Sequence, residues 1–412
     1  MKRLCLTLTA LAPLAIGHRK PGSVSEALDY IPGSVLRGAI AQRLLQQGQP
    51  EAGDDFHGLF LEDTAAVFTN AYPATYKRGE DDYAISARDI CHLPTTALST
   101  KTNSGFKPKK AGVFDALIDS YCAREHGLFY EPNDVAGDRV EPFTGIYSQG
   151  EDHPVSHTLN KRLLTRVGLN RRRATAQDEI LYSLEVMNES QGKETPVPTT
   201  YRGAILISQD ELAEPLQTFL EHHRDRFRLG GSASRGLGQV AISTALEDCP
   251  VPVAAVGQRI AQFNQALHQR WQVWHALGAP DPDPLTGRLF FAITLQADAI
   301  LTETWRRTMV LSPALLSQHT GLPAAQVTLE MAYSSYGYRT GWNAAWGLPK
   351  DVEMVTQMGS VFLYSIPNSE EANWIESLAQ LERTGIGDRT REGFGQIKVC
   401  DEFHQVMRED AV

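Results

Sequence analysis

Arg228-Leu229-Gly230-Gly231-Ser232-Ala233-Ser234-Arg235-Gly236-Leu237-Gly238-Gln239-Val240 has a counterpart in Arg383-Thr384-Gly385-Ile386-Gly387-Asp388-Arg389-Thr390-Arg391-Glu392-Gly393-Phe394-Gly395-Gln396-Ile397. Both end in Gly-(Leu or Phe)-Gly-Gln followed by a β-branched residue that opens a strand. The first is preceded by a strand, Tyr201 to Ile207, and a helix with Leu212, Leu216, Phe219 and Leu220 on its apolar side. The second is preceded by a strand, Gly359 to Ile366, and a helix carrying Trp374, Leu378 and Leu381. Agreement in order, spacing and loop chemistry marks an internal repeat, and a repeated strand–helix–loop–strand unit predicts an α+β fold with two related domains.

Outward from the repeat, the N-terminus places Lys2-Arg3 ahead of an apolar run, Leu4 to Ile16, as a secretory signal would. Leu4, Leu6, Leu8 and Ala10 alternate with Cys5, Thr7 and Thr9, however, and that period of two predicts a half-buried first strand. No stretch reaches the roughly 18 apolar residues that a bilayer crossing requires. Next comes Tyr30-Ile31-Pro32-Gly33-Ser34-Val35-Leu36-Arg37-Gly38-Ala39-Ile40. Pro32-Gly33 predicts a turn and Ser34 an N-cap, for a helix with Leu36, Ile40 and Leu44 on one face and Gly48 as its stop. A helix start so placed offers N–H groups and a favourable dipole to an anion, with Arg37 adding charge. Ala254 to Leu277 reads as a helix, Pro280 to Pro284 as a boundary and Arg288 to Leu295 as a strand. The expected division is an N-terminal domain, 1–245, with an insertion at about 49–198, a helical linker, 246–287, and a C-terminal domain, 288–412.

The 412 residues are 42% hydrophobic, which excludes disorder as the main state. A net charge of −10 tells against indiscriminate binding to nucleic acid, but the charge is uneven. Lys101 to Lys110 holds Lys101, Lys107, Lys109 and Lys110 and no acid; His153 to Gln177 holds Lys161, Arg162, Arg166, Arg171, Arg172 and Arg173 and no acid. Cys5, Cys91, Cys122, Cys249 and Cys400 are scattered without a CxxC pair, which predicts no disulfide framework and a reducing, cytoplasmic location.

The dinucleotide fingerprint needs a strand before its glycines and a helix after, the reverse of the order here, and no GxxxxGK[ST] occurs. Glycines that allow close backbone approach, interleaved with arginines that grip phosphate oxygens, suit an RNA or DNA backbone better than a free cofactor. No compact carboxylate or phosphate site of a carbohydrate- or nucleotide-metabolising enzyme is present. Cys91, His92, Cys122 and His126 form a candidate zinc set, since Cys122-x3-His126 supplies two ligands to one helix face, although Cys91-His92 are adjacent rather than spaced. Tyr333, Tyr336, Tyr338 and Trp342, near Arg339, are candidates for stacking on unpaired bases or for the core.

Ile31-Pro32-Gly33-Ser34-x-Leu36-Arg37-Gly38 after the first strand, with a Gly-rich loop near the end of each domain, resembles the RAMP superfamily of CRISPR-associated proteins. Further matches are Phe68-Thr69-Asn70-Ala71-Tyr72-Pro73, Leu93-Pro94 to Lys101, and Gly341-Trp342-Asn343 with Leu348-Pro349-Lys350 ahead of Gly359-Ser360-Val361. With two such domains the chain looks most like the tandem subunit of the Csx type in type III-D effector complexes. The resemblance implies ferredoxin-like (RRM-like) domains, guide-RNA (crRNA) binding in antiviral defence, and no cofactor. It implies other RAMP subunits and the large subunit as partners, target RNA as an indirect one, and no membrane. It places Gly33, Ser34 and Arg37 near the RNA backbone. With them go Gly230, Gly231, Ser232, Arg235, Gly236 and Gly238 of the first loop, and Gly385, Gly387, Arg389, Arg391, Gly393 and Gly395 of the second. Lys101, Arg171, Arg172 and Arg173 join them from the basic stretches. Related subunits that cut RNA carry an aspartate between the first strand and this motif; here stands Gly17-His18-Arg19-Lys20, with only Glu26 and Asp29 as acids. That favours a subunit that grips the 5′ region of the guide and caps the backbone filament without cutting. The alternative is a metal-independent nuclease processing precursor crRNA, with His18 as general acid or base.

Overall fold

A computed structural model of the chain describes residues 1–17, 24–48, 54–62, 65–74, 90–150, 153–170, 175–192, 196–248, 253–278, 282–343 and 346–412, without the side chains of 24–25, 169–170 and 175–180. In chain order the first sheet and its surroundings comprise β1 (Lys2–Ala10), α1 (Gly33–Leu45), α2 (Asp55–Phe60), β2 (Val67–Phe68) and β3 (Tyr72–Ala74). After α3 (Leu117–Glu125) and the hairpin β4 (Lys161–Asn170) and β5 (Thr175–Met187) come β6 (Thr200–Ile207), α4 (Ala213–His222), β7 (Phe227–Arg228) and β8 (Gln239–Asp248). The sheet runs β7-β8-β1-β6-β2, with β3 also pairing β6. All its pairings are antiparallel, Leu4 standing between Ile205 and Leu246.

The second sheet follows α5 (Val253–Trp274) and contains β9 (Arg288–Leu295), α6 (Pro313–Thr320), β10 (Thr328–Tyr333), the paired strands β11 (Tyr336–Arg339) and β12 (Glu353–Thr356), β13 (Val361–Pro367), α7 (Glu371–Thr384) and β14 (Ile397–Val399). Its order is β10-β13-β9-β14. Four strands of each sheet therefore run strand-helix-strand-strand-helix-strand in sequence, ordered second, third, first, fourth in space, and the first sheet adds β3 and β7 at its edges. The repeat read from the two loops extends over these four strands of each sheet.

Alternation in β1 does what its period predicts: Leu4, Leu6, Leu8 and Ala10 are buried and pack with Leu36, Ile40 and Leu216. β9 differs, because Phe290 through Leu295 are buried on both faces. α5, expected as a linker, covers it with Val256, Ile260, Phe263, Leu267 and Trp271. β14 pairs only Ile293 to Leu295, and further along Asn264 of α5 takes over, donating to the Phe290 carbonyl at 2.7 Å and accepting from its N–H at 2.9 Å. Satisfying those backbone groups is obligatory in so dry a place.

Although it arises from the first half of the chain, α3 joins the second core through Leu117, Ile118, Tyr121 and Cys122. Asp119, fully buried, accepts from Arg270 Nε at 2.5 Å and Trp274 Nε1 at 2.7 Å on α5. The C-terminal Val412 exchanges both backbone hydrogen bonds with Val113. The insertion thus straps the second sheet to the first. Among the described residues Cys5, Cys122 and Cys400 are in no disulfide, and no described helix is long and apolar enough to cross a membrane.

Two local expectations need correction. Pro32, extended at φ −62° and ψ 143°, occupies the N-cap position of α1, and Ser34 lies inside the first turn. The orphan N–H of Gly33 is satisfied from a distance, by Asn70 Oδ1 at 2.9 Å, which removes the need for a serine cap. At its other end α1 stops at Leu45, with Gln46 rather than Gly48 as the C-cap.

Candidate nucleic-acid interface

The two Gly-rich loops have one backbone conformation. Ser232 and Arg389 are left-handed at φ 59° and 58°, each opens a 3-10 turn (Ala233–Arg235, Thr390–Glu392), and each turn closes on a left-handed glycine, Gly236 or Gly393. Each loop also hooks the chain just past the first strand of its sheet: Gly231 N donates to Ala15 O at 2.7 Å, and Asp388 N to Ile300 O at 2.9 Å. Gly238 and Gly395, at φ 87° and 66°, lie against the Leu229 and Ile386 carbonyls, where a side chain would collide with backbone. The glycines are thus required by packing, which is a different reason from access to a ligand.

Their surroundings differ. In the second loop Gly385, Gly393 and Gly395 are buried, and the 3-10 turn sits against the start of α1 and the segment Phe68–Asn70. A Cβ on Gly393 would fall 2.6 Å from Asn70 Oδ1, and one on Gly33 would fall 2.9 Å from Glu392 O and overlap the Phe68 carbonyl. Arg389 and Lys350 converge on Glu392, at 2.6 and 3.1 Å. Burial works to raise the Glu392 carboxyl, yet these two cations hold it below the usual glutamate value. In the first loop Gly230, Gly231 and residues 233–236 are less enclosed, and Gly231 and Arg235 are exposed.

Beside that open loop stands the β4–β5 hairpin. Arg235 stacks over the Tyr182 ring at 5.4 Å and donates to its hydroxyl, while Arg166 Nη1 approaches the Arg235 carbonyl at 3.5 Å. The second acid-free stretch and the first Gly/Arg loop, far apart in sequence, therefore meet on one surface. Exposed Leu163, Val167 and Leu181 add apolar contact area. Tyr182 went unread in the sequence; the alternation through Leu184 and Val186, both buried, is the signal that would have placed it on a strand. Arg171, Arg172 and Arg173, between β4 and β5 in sequence, lie outside the described residues, as does His18.

Other sequence candidates are distributed differently. Gly33 is buried, Ser34 is half-buried, and Arg37 donates to Phe60 O at 2.6 Å with its guanidinium 5.7 Å over the Phe60 ring. Lys101, Lys107, Lys109 and Lys110 are all exposed, Lys101 pairing with Glu141 at 2.9 Å. Asp29 is ion-paired to Lys161 Nζ at 2.7 Å. Arg339 is drawn into the interior by Asp298, whereas Tyr336, Tyr338 and Trp342 remain more than half exposed and Tyr333 packs on the second core.

The candidate zinc ligands do not assemble: among the described residues no group of three or more His, Cys, Asp or Glu could hold a metal ion. His126 Nδ1 is 2.6 Å from the Cys122 carbonyl of its own helix, and Cys91 Sγ lies 4.0 Å from Lys398 Nζ. Burial pushes the Cys122 thiol up to about 12.

Several motifs turn out to be one another's partners. Ile31 and Ala71 exchange backbone hydrogen bonds at 2.9 and 2.8 Å, joining Ile31-Pro32-Gly33-Ser34 to Phe68-Thr69-Asn70-Ala71-Tyr72-Pro73. Thr95 N donates to Gly359 O at 2.8 Å, joining Leu93-Pro94 to Gly359-Ser360-Val361.

No curated protein sequence matches the chain. Among solved structures it is similar to a chain of the type III-B Cmr-beta complex bound to cognate target RNA and AMPPnP, at 11% identity and TM-score 0.39, covering 87% of this chain and 86% of that one. A chain of the apo type III-B Cmr-beta complex aligns at 13% identity and TM-score 0.31, covering 59% of this chain and 97% of that one. The model of the RAMP superfamily matches residues 7–241, more than half of the 412 residues and a span that runs from within β1 to the start of β8 and holds the Pro-Gly helix start and the first loop. The chain therefore belongs to the RAMP superfamily.

Proposed function

We propose that this protein is a guide-RNA-binding subunit of a type III CRISPR ribonucleoprotein, built from two ferredoxin-like domains, that positions RNA and does not cut it. The ferredoxin-like reading is supported by the strand-helix-strand-strand-helix-strand order and the shared sheet order of the two halves. The domain limits proposed are those read from the sequence, with α5 and α3 as parts of the second core. Within the superfamily, the reading extends to the tandem subunit of the Csx type in type III-D complexes, holding the 5′ region of the guide at the end of the backbone filament.

The observation that carries RNA binding is the meeting of Arg166, Arg235 and Tyr182 on the open first loop. Guanidinium groups donate in pairs to phosphate oxygens, and an aromatic ring beside them offers a face to a base. Arg171, Arg172 and Arg173 extend this basic hairpin in sequence, and the exposed Lys101 to Lys110 stretch supplies further phosphate contacts. The overall charge of −10 confines affinity to such places and limits indiscriminate binding. The absence of cutting rests on the segment before the Pro-Gly helix, whose Asp29 is tied to Lys161.

Purification from the native host followed by sequencing of bound RNA tests this reading. Uniform, repeat-derived 5′ ends are the expected result; a preparation free of RNA overturns it.

A further inference from the structure

We infer that the outer face of the first loop, Ala233–Gly236, docks a separate chain of the same strand-helix-strand-strand-helix-strand build whose first helix opens on Pro-Gly. The inference rests on the reading of this protein as one subunit of a multi-chain ribonucleoprotein. Its template is the joint inside the molecule. The second loop has the same left-handed residue, 3-10 turn and closing glycine, and its turn is seated on a helix opening Pro32-Gly33, with Glu392 O against Gly33 and Gly393 against Asn70. That seat accepts a backbone surface, because Gly33 has no Cβ to fill it.

Among the described residues the equivalent surface of the first loop is uncovered. Among the described residues nothing lies within 4 Å of the Cβ position of Gly236, the counterpart of Gly393. The carbonyl of Arg235, the counterpart of Glu392's, is approached by Arg166 at 3.5 Å. A side-chain approach at that length leaves the backbone face of the turn open to a partner.

A second copy of this chain does not provide the seat. Among the described residues α1 is the only helix that opens on Pro-Gly, and its seat is filled by the chain's own second loop. The corresponding helix of the second sheet, α6, opens Ser312-Pro313-Ala314 and is capped by its own Ser312, which accepts from Leu315 N at 3.1 Å. The contact is consequently heterologous and ends at a different chain, with no closed ring or filament of identical copies. RNA contact by the Arg235 side chain and protein contact by the backbone of the turn use different atoms of one loop.

A photo-crosslinking residue placed at Ala233, in the tagged full-length protein purified from its host with bound RNA, tests the inference; the same residue at Arg391 serves as the internal standard. At Arg391 the crosslinked peptide is expected from residues 33–37 or 68–70 of the same chain. At Ala233 it is expected from a different chain, at the first turn of a helix that opens on Pro-Gly, and Ser234→Trp is expected to lower its yield at least tenfold while RNA retention is unchanged. A crosslink from Ala233 to RNA, to a second copy of this chain, or to nothing in a preparation that retains RNA overturns the docking surface and leaves the RNA reading intact. A preparation with neither RNA nor a second chain overturns both.

Discussion

The Arg235 guanidinium lies 5.4 Å from the centroid of the Tyr182 ring, joining residues 53 apart in sequence. Through this pair the Gly/Arg loop of the first sheet and the basic hairpin become one surface. Reversing both nearby cations, Arg166→Glu with Arg235→Glu, is expected to weaken binding of single-stranded RNA at least tenfold at low salt. The slope of log affinity against log salt should fall by roughly 0.7 for each phosphate that is no longer neutralised. Tyr182→Ala removes stacking and should lower affinity with the slope unchanged. Fluorescence anisotropy across a salt series separates the two effects, and equal salt slopes for wild type and the double reversal contradict the assignment.

Gly33 and Gly38 lie in the same helix and should respond oppositely to alanine. A Cβ at Gly33 overlaps the Phe68 carbonyl, and neither backbone can move without breaking the joint to the second loop. Gly33→Ala is expected to cost about 3 kcal/mol or to prevent folding. Among the described residues nothing lies within 4 Å of the Cβ position at Gly38, so Gly38→Ala should gain about 0.5–1 kcal/mol from helix propensity. Urea unfolding of the two variants provides the comparison; similar midpoints would rule out the tight seat.

Asp298 and Arg339 form a buried ion pair beside Tyr30, 2% and 13% exposed at their side chains. Asp298 also accepts the Met358 N–H at 3.0 Å. Asp298→Ala removes the counter-charge of a buried guanidinium and the acceptor of a backbone donor, and about 3–5 kcal/mol of stability should be lost. The double variant with Arg339→Met should recover part of that loss. Because the pair is buried, its coupling is expected to change little between 0.05 and 0.5 M salt, roughly the range over which exposed pairs are screened. A double-mutant cycle at both salt concentrations measures this.

His157, 4% exposed, shares a 2.8 Å hydrogen bond with Ser148 Oγ, and burial pushes its imidazole down to about 4. The unfolded side chain titrates near 6.5, so between about 6.5 and 4 the unfolded state holds a proton that the folded state does not. Stability should therefore fall as pH drops through that window, by up to about 3 kcal/mol at its lower end. His157→Gln is expected to remove this component. Unfolding midpoints at pH 7.5 and 5 for both proteins decide it, since a parallel decline would assign the acid sensitivity to other groups.

The two sheets were legible wherever their signals were short-range. Period-two alternation in Lys2–Ala10 and three- and four-residue apolar spacing in Val253–Trp274 depend on neighbours in sequence, and both elements lie where those patterns put them. α5 falls in the stretch expected as a helical linker, 246–287, and packs on the second core, because an apolar helical stripe does not name the surface it covers. In the hairpin Lys161–Met187 the run of charge masks the strand signal: Leu163, Val167 and Leu181 are exposed, while Leu184, Val186 and Met187 are buried. The zinc set failed for a related reason: spacing on one helix says nothing of whether Cys91, on another element, approaches it.

By itself the sequence determined that one unit occurs twice, and which positions in each loop are glycine, because a left-handed φ and a close backbone approach are demands made within a few residues. Which environment each copy meets was decided by the tertiary structure. Chemically similar loops became a buried joint in one case and an open surface in the other, because only one has the Pro32-Gly33 helix start and Asn70 within reach. Local backbone geometry is written residue by residue. Burial depends on how the two halves pack, and that rests on hydrogen bonds between segments far apart in the chain, such as those of Tyr72 and His92 with Gln296.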